Sequence, residues 1–444
     1  MRLDAFSDSG YFWLPGGEDQ SLQVPGNLSV SEAGRVTLET FGYWSEDPLS
    51  LAHDVQPSKL TRIFGYTPER GEVTLTDAAA TRISIPSRRR GWVFNRSSFE
   101  AGKLLIGGHF GENEQLFDRL TCRIEGLHEW LGVSGFTIER DSPTCTTVTY
   151  HENPPPLQFQ VSDDVNGEFG LGHSISFQAP AGIKAPEARY SAYVKLSTSM
   201  SWTEDDVLHW ALCMRDFISL GTGNPVAITG LEGWKPADEQ EDANTDYREN
   251  RVEIFCASKQ QSLKSNANHF PQFMTFTYKD IDISHSIKKW VDLCFDGRST
   301  GGQAVELFCD VLYGDGILPD DIRLFKAAEA LKLMYLSMMD DEDGDCYLAE
   351  AVKCLASKFS ELLWLDGGET EFAERVRATR NLWVHRKSDP GGTQACEGVD
   401  LFRLLRQCEA LLFCCLTAHA LGSEGETIRV LRNARPIKDR VRSA

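Results

Sequence analysis

The sequence predicts an α+β protein of several domains, in which a β-rich N-terminal region is followed by an all-α helical bundle. In the first part of the chain, segments such as Val36–Thr40 and Glu72–Thr76 alternate apolar with polar residues, which is the period of a half-buried strand. From about residue 284 the apolar residues recur every three to four positions, as in amphipathic helices. With 444 residues, and about 150 residues per domain as a guide, two or three domains are expected.

The β-rich part divides at a stiff segment. Glu152–Pro156 ends in three consecutive prolines, and proline-rich runs are extended and rigid. We therefore predict a β-rich domain over residues 1–150 and a mixed β/α continuation over residues 151–283. The mixed part contains predicted strands at Arg189–Leu196 and Val252–Ala257, a predicted helix at Thr203–Leu220 and a predicted acidic loop at Asp238–Asn250.

The C-terminal part predicts a bundle of antiparallel helices over residues 284–430, followed by a basic tail over residues 431–444. Helical periodicity is present at Ser284–Phe295, Ile322–Met339, Cys346–Leu365, Glu371–His385 and Asp400–Leu421. The run Asp389–Gly392 contains proline and two glycines, and these residues end the fourth helix. His385 is therefore expected in the last helical turn, next to a loop.

The distribution of charge limits the possible partners. A formal net charge of −20 argues against a general nucleic-acid binder, because such proteins neutralise phosphates with basic surfaces. Any RNA site must then be local. One basic group lies around the fourth helix and comprises Arg375, Arg377, Arg380, Arg386 and Lys387. A second group is most simply a solvated tail and comprises Arg429, Arg432, Arg435, Lys438, Arg440 and Arg442.

Cysteine use and hydropathy indicate a compartment. The 12 cysteines form no Cys-x-x-Cys pair, which argues against a zinc ribbon and a disulfide-stapled secreted domain. The sequence shows no signal-peptide pattern and no apolar run near the ~20 residues that span a bilayer. We expect a cytoplasmic protein that uses no metal, cofactor or membrane. The acidic run Asp340–Asp345 is similar to a calcium loop, but its first ligand position falls on Met339, which cannot bind calcium.

The segment Arg380–His385 places a cation, a carboxamide and an imidazole on one predicted helix. Asn381 and His385 are four residues apart and share a face. Arginine binds phosphate through a forked pair of donors, and histidine can move a proton near neutral pH. Together they can hold a phosphodiester and deprotonate a hydroxyl. The alternative is an ordinary C-terminal helix turn, where cations are favoured by the helix dipole.

Two neighbours of this segment have open roles. Glu329, on the predicted helix Ile322–Met339, either orients Arg380 from across the bundle or is a plain exposed glutamate. Trp383 lies inside the segment and is expected in the core or at an interface, with the core favoured.

The spacing Arg-Asn-x-x-x-His, late in a helix of a C-terminal helical domain, resembles the Arg-X4-6-His motif of the HEPN superfamily. This resemblance implies a helical bundle with metal-independent ribonuclease activity. It also implies a homodimer, or a higher even oligomer, in which the motif helices of two subunits form one composite site.

The N-terminal half carries a second resemblance. Its fragments occur in order over most of residues 10 to 224, and they are Gly10–Pro15, Val24–Leu28, Gly34–Leu38, Ile63–Gly65, Gly71–Leu75, Gly126–Leu131 and Phe217–Leu220. Together these fragments resemble the start of the ApeA-type antiphage proteins. The resemblance implies antiphage defence by abortive infection.

Two classes of function follow. In the first, the protein is an RNA endonuclease: His385 moves the proton of the ribose 2′-OH, and Arg380 stabilises the phosphorane. Asn381 orients His385 or binds phosphate, while the RNA-binding residues are Arg377, Arg386 and Lys387. The N-terminal region senses an unknown phage-derived trigger and gates the site. In the second class, the protein is a non-catalytic dimeric interaction or sensor protein, and its bundle serves only for assembly.

Overall fold

The structure is a computed structural model of the chain. It describes residues 5–16, 23–42, 44, 60–83, 96–142, 145–150, 154–176, 187–236, 250–256, 270–295, 300–339, 346–365, 367–385 and 394–442.

The chain forms two compact units, each assembled from three segments. The first unit comprises Met1–Glu125, Tyr193–Ala211 and Ala227–Ser262. The second unit comprises Gly126–Ala192, Leu212–Val226 and Leu263–Ala444.

The first unit contains a closed barrel of six antiparallel strands. Its strands are β1 (Phe6–Trp13), β2 (Val24–Val30), β3 (Val36–Thr40), β4 (Leu60–Thr67), β5 (Gly71–Ile83) and β6 (Ser97–Ala101). They pair in the order β5-β4-β1-β2-β3-β6, and β6 pairs again with β5. Closure leaves each of these six strands with a partner on both sides.

The barrel interior follows from the period-two pattern of the sequence. In β3 the side chains alternate between buried and half-buried, so Val36 and Leu38 join Phe12 and Leu28 in one core. Gly65 on β4 lies against that core. A Cβ at position 65 would lie 2.4 Å from Cδ1 of Phe12, so the close approach of this ring requires glycine.

The sheet continues outside the barrel through the long strand β5. The further strands are β7 (Lys103–Ile106), β8 (Phe117–Ile124), β13 (Glu187–Trp202), β14 (Ile228–Trp234) and β15 (Arg251–Cys256). They follow the order β5-β7-β15-β14-β8-β13. Residues Val73–Thr76 of β5 pair with β7, while residues Ala79–Ile83 of β5 pair with β6. One strand thus serves both the barrel and the extended sheet.

The second unit is mainly helical. It includes α1 (Leu127–Leu131) and two antiparallel strand pairs, β9 (Phe136–Ser142) with β10 (Cys145–Tyr150) and β11 (Leu157–Gln160) with β12 (Val165–Ser176). The helix α2 (Glu204–Thr222) begins in the first unit and belongs to the second from Leu212 onward. The following helices are α3 (Ile283–Phe295), α4 (Thr300–Tyr313), α5 (Asp320–Met338), α6 (Leu348–Lys358), α7 (Gly368–His385), α8 (Gly398–Leu421), α9 (Glu424–Leu431) and α10 (Arg435–Arg442).

Helix α8 is the centre of the bundle. It packs against α3, α4, α5, α6, α7, α9 and α10. Among the described residues it is also the one helix long and apolar enough to cross a membrane by length and composition alone, yet 89% of that apolar stretch is buried inside the protein. Such burial is what the core helix of a bundle requires.

The C-terminal half of α2 is bound to the bundle by buried hydrogen bonds. The indole Nε1–H of Trp290 on α3 donates to the Cys213 carbonyl at 3.0 Å. The hydroxyl groups of Tyr313 on α4 and Ser219 on α2 lie 2.7 Å apart, and the Tyr313 hydroxyl also donates to Asp216 at 3.3 Å. A segment well before residue 284 therefore forms part of the helical core.

The predicted fold class is confirmed, because the β-rich region precedes a helical C-terminal part. The predicted helix Thr203–Leu220 is α2, and the strand predicted at residues 189–196 lies within β13. Residues 252–256 of the strand predicted at 252–257 belong to β15, and residue 257 lies outside the described residues. The predicted loop Asp238–Asn250 lies outside the described residues, except for Asn250.

One helix is shorter than predicted, and another helix was not predicted. The helix predicted at Cys346–Leu365 is shorter, because α6 ends at Lys358 and Phe359 leaves the helical conformation. Apolar spacing continues past that end at Leu362 and Leu363, which explains the error. Helix α4 was not predicted, since Gly301 and Gly302 disfavour a helix. Gly301 is nevertheless required, because a Cβ there would lie 2.3 Å from Cδ1 of Leu293.

The predicted basic tail contains a helix that packs. Residues 435–442 form α10, which contacts α8. Arg432 and Arg435 are exposed, as a solvated segment requires, but Arg440 has only 11% of its side chain exposed. Its guanidinium lies 4.3 Å above the ring of Phe413. Part of the basic group is therefore inside the protein.

Candidate functional site

The predicted site residue Arg380 lies on α7 and faces Glu329 on α5. Its Nε–H and Nη2–H groups donate to the same oxygen, Oε1 of Glu329, at 2.9 and 2.6 Å. Both side chains are about one quarter exposed. The ion pair is therefore reached by solvent but fixed in direction by two hydrogen bonds to one carboxylate.

Two further groups hold the guanidinium of Arg380. Its Nη1–H donates to Oδ1 of Asn381 at 3.3 Å, and its central carbon lies 5.6 Å from the centre of the Phe325 ring. Phe325 is four residues before Glu329, so both side chains lie on one face of α5. Sequence reasoning missed Phe325, which carried no chemical signal apart from this spacing.

The contacts leave part of the guanidinium available. Arginine has five N–H donors, and the hydrogen bonds within the described residues engage three of them. The remaining donors are on Nη1 and Nη2, away from Nε. These two donors can bind an anion while Glu329 stays hydrogen-bonded to Arg380.

The structure describes only part of the remaining motif. Helix α7 extends to His385 as predicted, but the side chain of His385 lies outside the described residues, as do Arg386 and Lys387. Asn381 contacts Arg380. Its expected role in orienting His385 stays a prediction.

Arg377, predicted to bind RNA, is one turn before Arg380. Its Nε–H donates to Oε2 of Glu374 at 2.9 Å on the same helix, and about a quarter of its side chain is exposed. Its RNA-binding role stays a prediction.

A buried threonine fixes α7 against the segment that follows the motif loop. The Thr379 hydroxyl donates to the Arg375 carbonyl at 2.7 Å and accepts from the Cys396 backbone N–H at 3.0 Å. Thr379 is fully buried. Sequence reasoning missed this residue, although its place immediately before Arg380 makes it part of what positions the motif.

Trp383 is not a core residue. Its side chain is 48% exposed, so the expectation that it lies in the core was wrong. The position of Trp383 on the helix explains the error. Phe372, Val376 and Thr379 form a row on the buried face of α7. Residue 383 extends that row, but its side chain is buried only if a neighbouring helix covers it. The exposed indole therefore lies on the surface next to Arg380.

Metal ligands are not assembled near this cluster. Among the residues that the structure describes, no three His, Cys, Asp or Glu side chains come together as a metal site. The acidic run Asp340–Asp345 lies outside these residues.

The fold and this cluster define an α+β protein in which a β-barrel region precedes a helical bundle. The bundle carries Arg380, which Glu329 holds by hydrogen bonds and which keeps two N–H donors without a partner among the described residues. The family model of ApeA N-terminal domain 1 matches residues 9–290. The chain belongs to this family, which is one of antiphage defence. The match ends within α3, so Glu329 and Arg380 lie beyond it. No curated protein and no solved structure matches the chain.

Proposed function

We propose that the protein is a metal-independent RNA endonuclease that acts in antiphage defence by abortive infection. Its active site is formed by Arg380, Asn381 and His385, and Glu329 positions the arginine. The β-rich region senses a phage-derived trigger and gates the site. The enzyme acts in the cytoplasm and requires no cofactor.

One observation carries the proposal: Arg380 is held by Glu329 on one edge and keeps donors on Nη1 and Nη2. A purely structural arginine in a bundle gains most when every donor has a partner. A guanidinium that is oriented on one side and open on the other instead suits the forked recognition of a phosphate.

The chemistry follows from this arrangement. Arg380 donates to the non-bridging oxygens of the scissile phosphate and stabilises the charge that builds up on the phosphorane. His385, five residues further along α7, accepts the proton of the ribose 2′-OH or protonates the leaving oxygen. The 2′-OH is the nearest nucleophile, so the product is a 2′,3′-cyclic phosphate. DNA lacks this hydroxyl and is spared.

The charge of the chain supports a gated enzyme. A net charge of −20 repels bulk RNA and slows encounter. Arg377, Arg386 and Lys387 provide a local basic group for the substrate once the site is accessible. The trigger therefore acts by exposing or assembling this region.

The active form is a homodimer or a higher even oligomer. In-line displacement needs groups at both the attacking and the leaving oxygen, and a two-fold interface supplies two copies of Arg380 and His385 from one sequence. The exposed Trp383 supports this arrangement, because it places apolar surface beside the motif.

The test is cleavage of total cellular RNA by the purified protein in EDTA. Wild-type protein is expected to cut, leaving cyclic or 2′/3′ phosphates, while His385→Ala and Arg380→Ala are inactive. Matched controls are His285→Ala on α3 and Arg403→Ala on α8, both at exposed side chains of the same unit. Activity that vanishes in EDTA and returns with magnesium contradicts the proposal.

The same variants test the cellular role. Cells that carry the wild-type protein are expected to resist some phages, and the two motif variants are expected to lose resistance at equal protein level. If both motif variants protect the cells fully, the nuclease function is excluded and the non-catalytic function remains.

That second candidate is a non-catalytic dimeric interaction or sensor protein. The observation in its favour is the ion pair itself: Arg380 and Glu329 join α7 to α5, as a structural pair would. The two candidates differ in one result, since only the enzyme leaves cyclic phosphate ends on RNA.

A further inference from the structure

A polar cavity of about 510 Å³ lies in the second unit, away from the Arg380 cluster. It is formed by α4, α5, α8, α10 and the segments around Asn224 and Phe273. Its volume falls within the range of about 300–1,000 Å³ that small-molecule sites occupy.

The lining of the cavity is rich in arginine. The lining carries four guanidinium groups, on Arg323, Arg406, Arg435 and Arg440, but only three carboxylates, on Asp315, Glu409 and Asp439. A fourth carboxylate, on Asp320, lies outside the lining and pairs with Arg323 at 3.3 Å.

Three of these guanidinium groups share one buried carboxylate. Glu409 accepts from Nη2 of Arg323 at 2.6 Å and from Nη1 of Arg406 at 2.7 Å. Nε of Arg440 lies 3.5 Å from the same carboxylate, whose side chain is only 5% exposed. Arg323 and Arg406 also pair with Asp315, at 2.8 and 3.8 Å. Among the described ion pairs, Arg440 has Glu409 alone as its anion.

Two donors at the cavity make no hydrogen bond among the described residues, although Nε of Arg440 lies 3.5 Å from the carboxylate of Glu409. The Nε–H groups of Arg406 and Arg440 are buried and make no hydrogen bond within the described part of the chain. Burial lowers the pKa of Arg440, with Glu409 opposing the shift and Arg406 adding to it. Buried donors without partners are costly, and an oxyanion in the cavity would satisfy them.

We propose that this cavity binds a small phosphate-bearing molecule, with Arg406, Arg435 and Arg440 as its ligands. Phosphate fits the forked donors of arginine better than a compact halide does. The volume of about 510 Å³ admits a molecule as large as a nucleotide rather than a bare ion alone. The site is independent of the proposed nuclease activity, because it shares no residue with the Arg380 cluster.

The test is isothermal titration calorimetry on the full chain in phosphate-free buffer. Inorganic phosphate and AMP are expected to bind, and adenosine, which has no phosphate, is not. Arg435→Gln, at a side chain that is 56% exposed, and Arg406→Gln are expected to weaken binding by about tenfold, the size of a lost charge-assisted hydrogen bond. Asp439→Asn removes a lining carboxylate and is expected to tighten binding by about twofold to fivefold.

Arg432→Gln is the matched control, because Arg432 is 65% exposed, pairs with Glu361 and does not line the cavity. If Arg406→Gln does not fold, Arg435→Gln and Asp439→Asn carry the test. The proposal is overturned if neither phosphate nor AMP binds with a Kd below about 10 mM. It is also overturned if adenosine binds as well as AMP, if Arg432→Gln loses as much affinity as Arg435→Gln, or if only polymeric RNA binds.

Discussion

Arg323 on α5 and Glu409 on α8 are joined by a 2.6 Å hydrogen bond between side chains that are 2% and 5% exposed. Arg323 also donates to Asp315 at 2.8 Å and to the Val311 carbonyl at 3.3 Å. The pair therefore links α4, α5 and α8 in the interior of the bundle. The pair stabilises the bundle because both of its charges are paired and hydrogen-bonded, and a buried charge is tolerated only under that condition.

Glu409→Gln is expected to destabilise the protein strongly. The substitution leaves Arg323 and its neighbours without their shared anion, and breaking a buried pair costs about 3–5 kcal/mol. For a chain of 444 residues, with an unfolding entropy of about 2.1 cal/mol/K per residue, we expect the Tm to fall by roughly 3–5 °C. Glu361→Gln, at a surface pair, should change the Tm by no more than about 2 °C. Equal shifts for both variants would contradict a structural role for the buried pair.

Glu329→Gln is expected to lower the rate of RNA cleavage with little effect on KM. The amide keeps the size of the side chain but loses the charge that holds Nε and Nη2 of Arg380. A misplaced catalytic group can cost about a hundredfold in rate. Arg380→Lys should lose about a hundredfold or more, because a lysine cannot reproduce the fork. Single-turnover kinetics measure both, and a fully active Arg380→Lys enzyme would refute forked phosphate recognition.

The fold was predictable where local pattern and tertiary packing agree. Period two in Val36–Thr40 gave a strand with alternating burial. Helical spacing in residues 322–339 gave α5 within two residues. Closure of the barrel was not predictable, because it depends on pairing between β5 and β6, and strand partners leave no mark in a single sequence.

The candidate site was predictable only in part. The Arg380 motif is local, so its helix could be recognised. The sequence left two alternatives for Glu329, a partner of Arg380 or a plain exposed glutamate. Tertiary structure decides between them, because the two residues are 51 positions apart in the chain. The Arg-rich cavity was not foreseen, since its arginines come from α5, α8 and α10 and were assigned in part to a solvated tail.

Acidification is expected to weaken the folded state through His419 on α8. Burial lowers its pKa, Lys289 adds to the shift and Asp292 opposes it. The unfolded chain therefore binds a proton more readily below about pH 6.5, so the stabilisation present above that pH is lost as the pH falls towards the lowered value. His419→Gln should reduce the difference between the Tm at about pH 7.5 and at about pH 5.5. An unchanged difference would exclude His419 as a source of acid sensitivity.

Trp383→Glu is expected to shift the protein towards the monomer and to reduce RNA cleavage. A charge at this half-exposed position would be desolvated in an interface that contains the motif helices. Trp364→Glu is the matched control, because Trp364 is 75% exposed and precedes the opposite end of α7. Light scattering measures the mass. A strictly monomeric and active wild-type enzyme would refute the composite site.

A mixture of Arg380→Ala and His385→Ala subunits is expected to recover part of the cleavage activity. Each mixed dimer can contain one intact Arg380 and one intact His385, although neither homodimer has both. RNA cleavage by the mixture, compared with each variant alone, measures this recovery. Its absence despite demonstrated subunit exchange would place all catalytic groups within one subunit.

Residues 284–444 expressed alone are expected to fold poorly. The fragment lacks the part of α2 that provides the Cys213 carbonyl for Trp290 and the Ser219 and Asp216 groups for Tyr313. Buried polar groups without partners are destabilising. Circular dichroism and thermal melting measure the effect, and a fragment that also includes residues 203–226 is the control. A cooperative melt of the short fragment at the temperature of the full chain would show that α2 is dispensable.

The place of α8 in the chain sets the order in which a nascent protein can mature. The ribosome completes α3 to α7 before it makes α8, yet α8 is the common packing partner of all five. The helices that carry Glu329 and Arg380 contact each other directly as well as α8, so until α8 has been made they have only part of their packing surface. The central helix is therefore the last of the six helices α3 to α8 to appear, and the complete core of the bundle forms only when nearly the whole chain has been made.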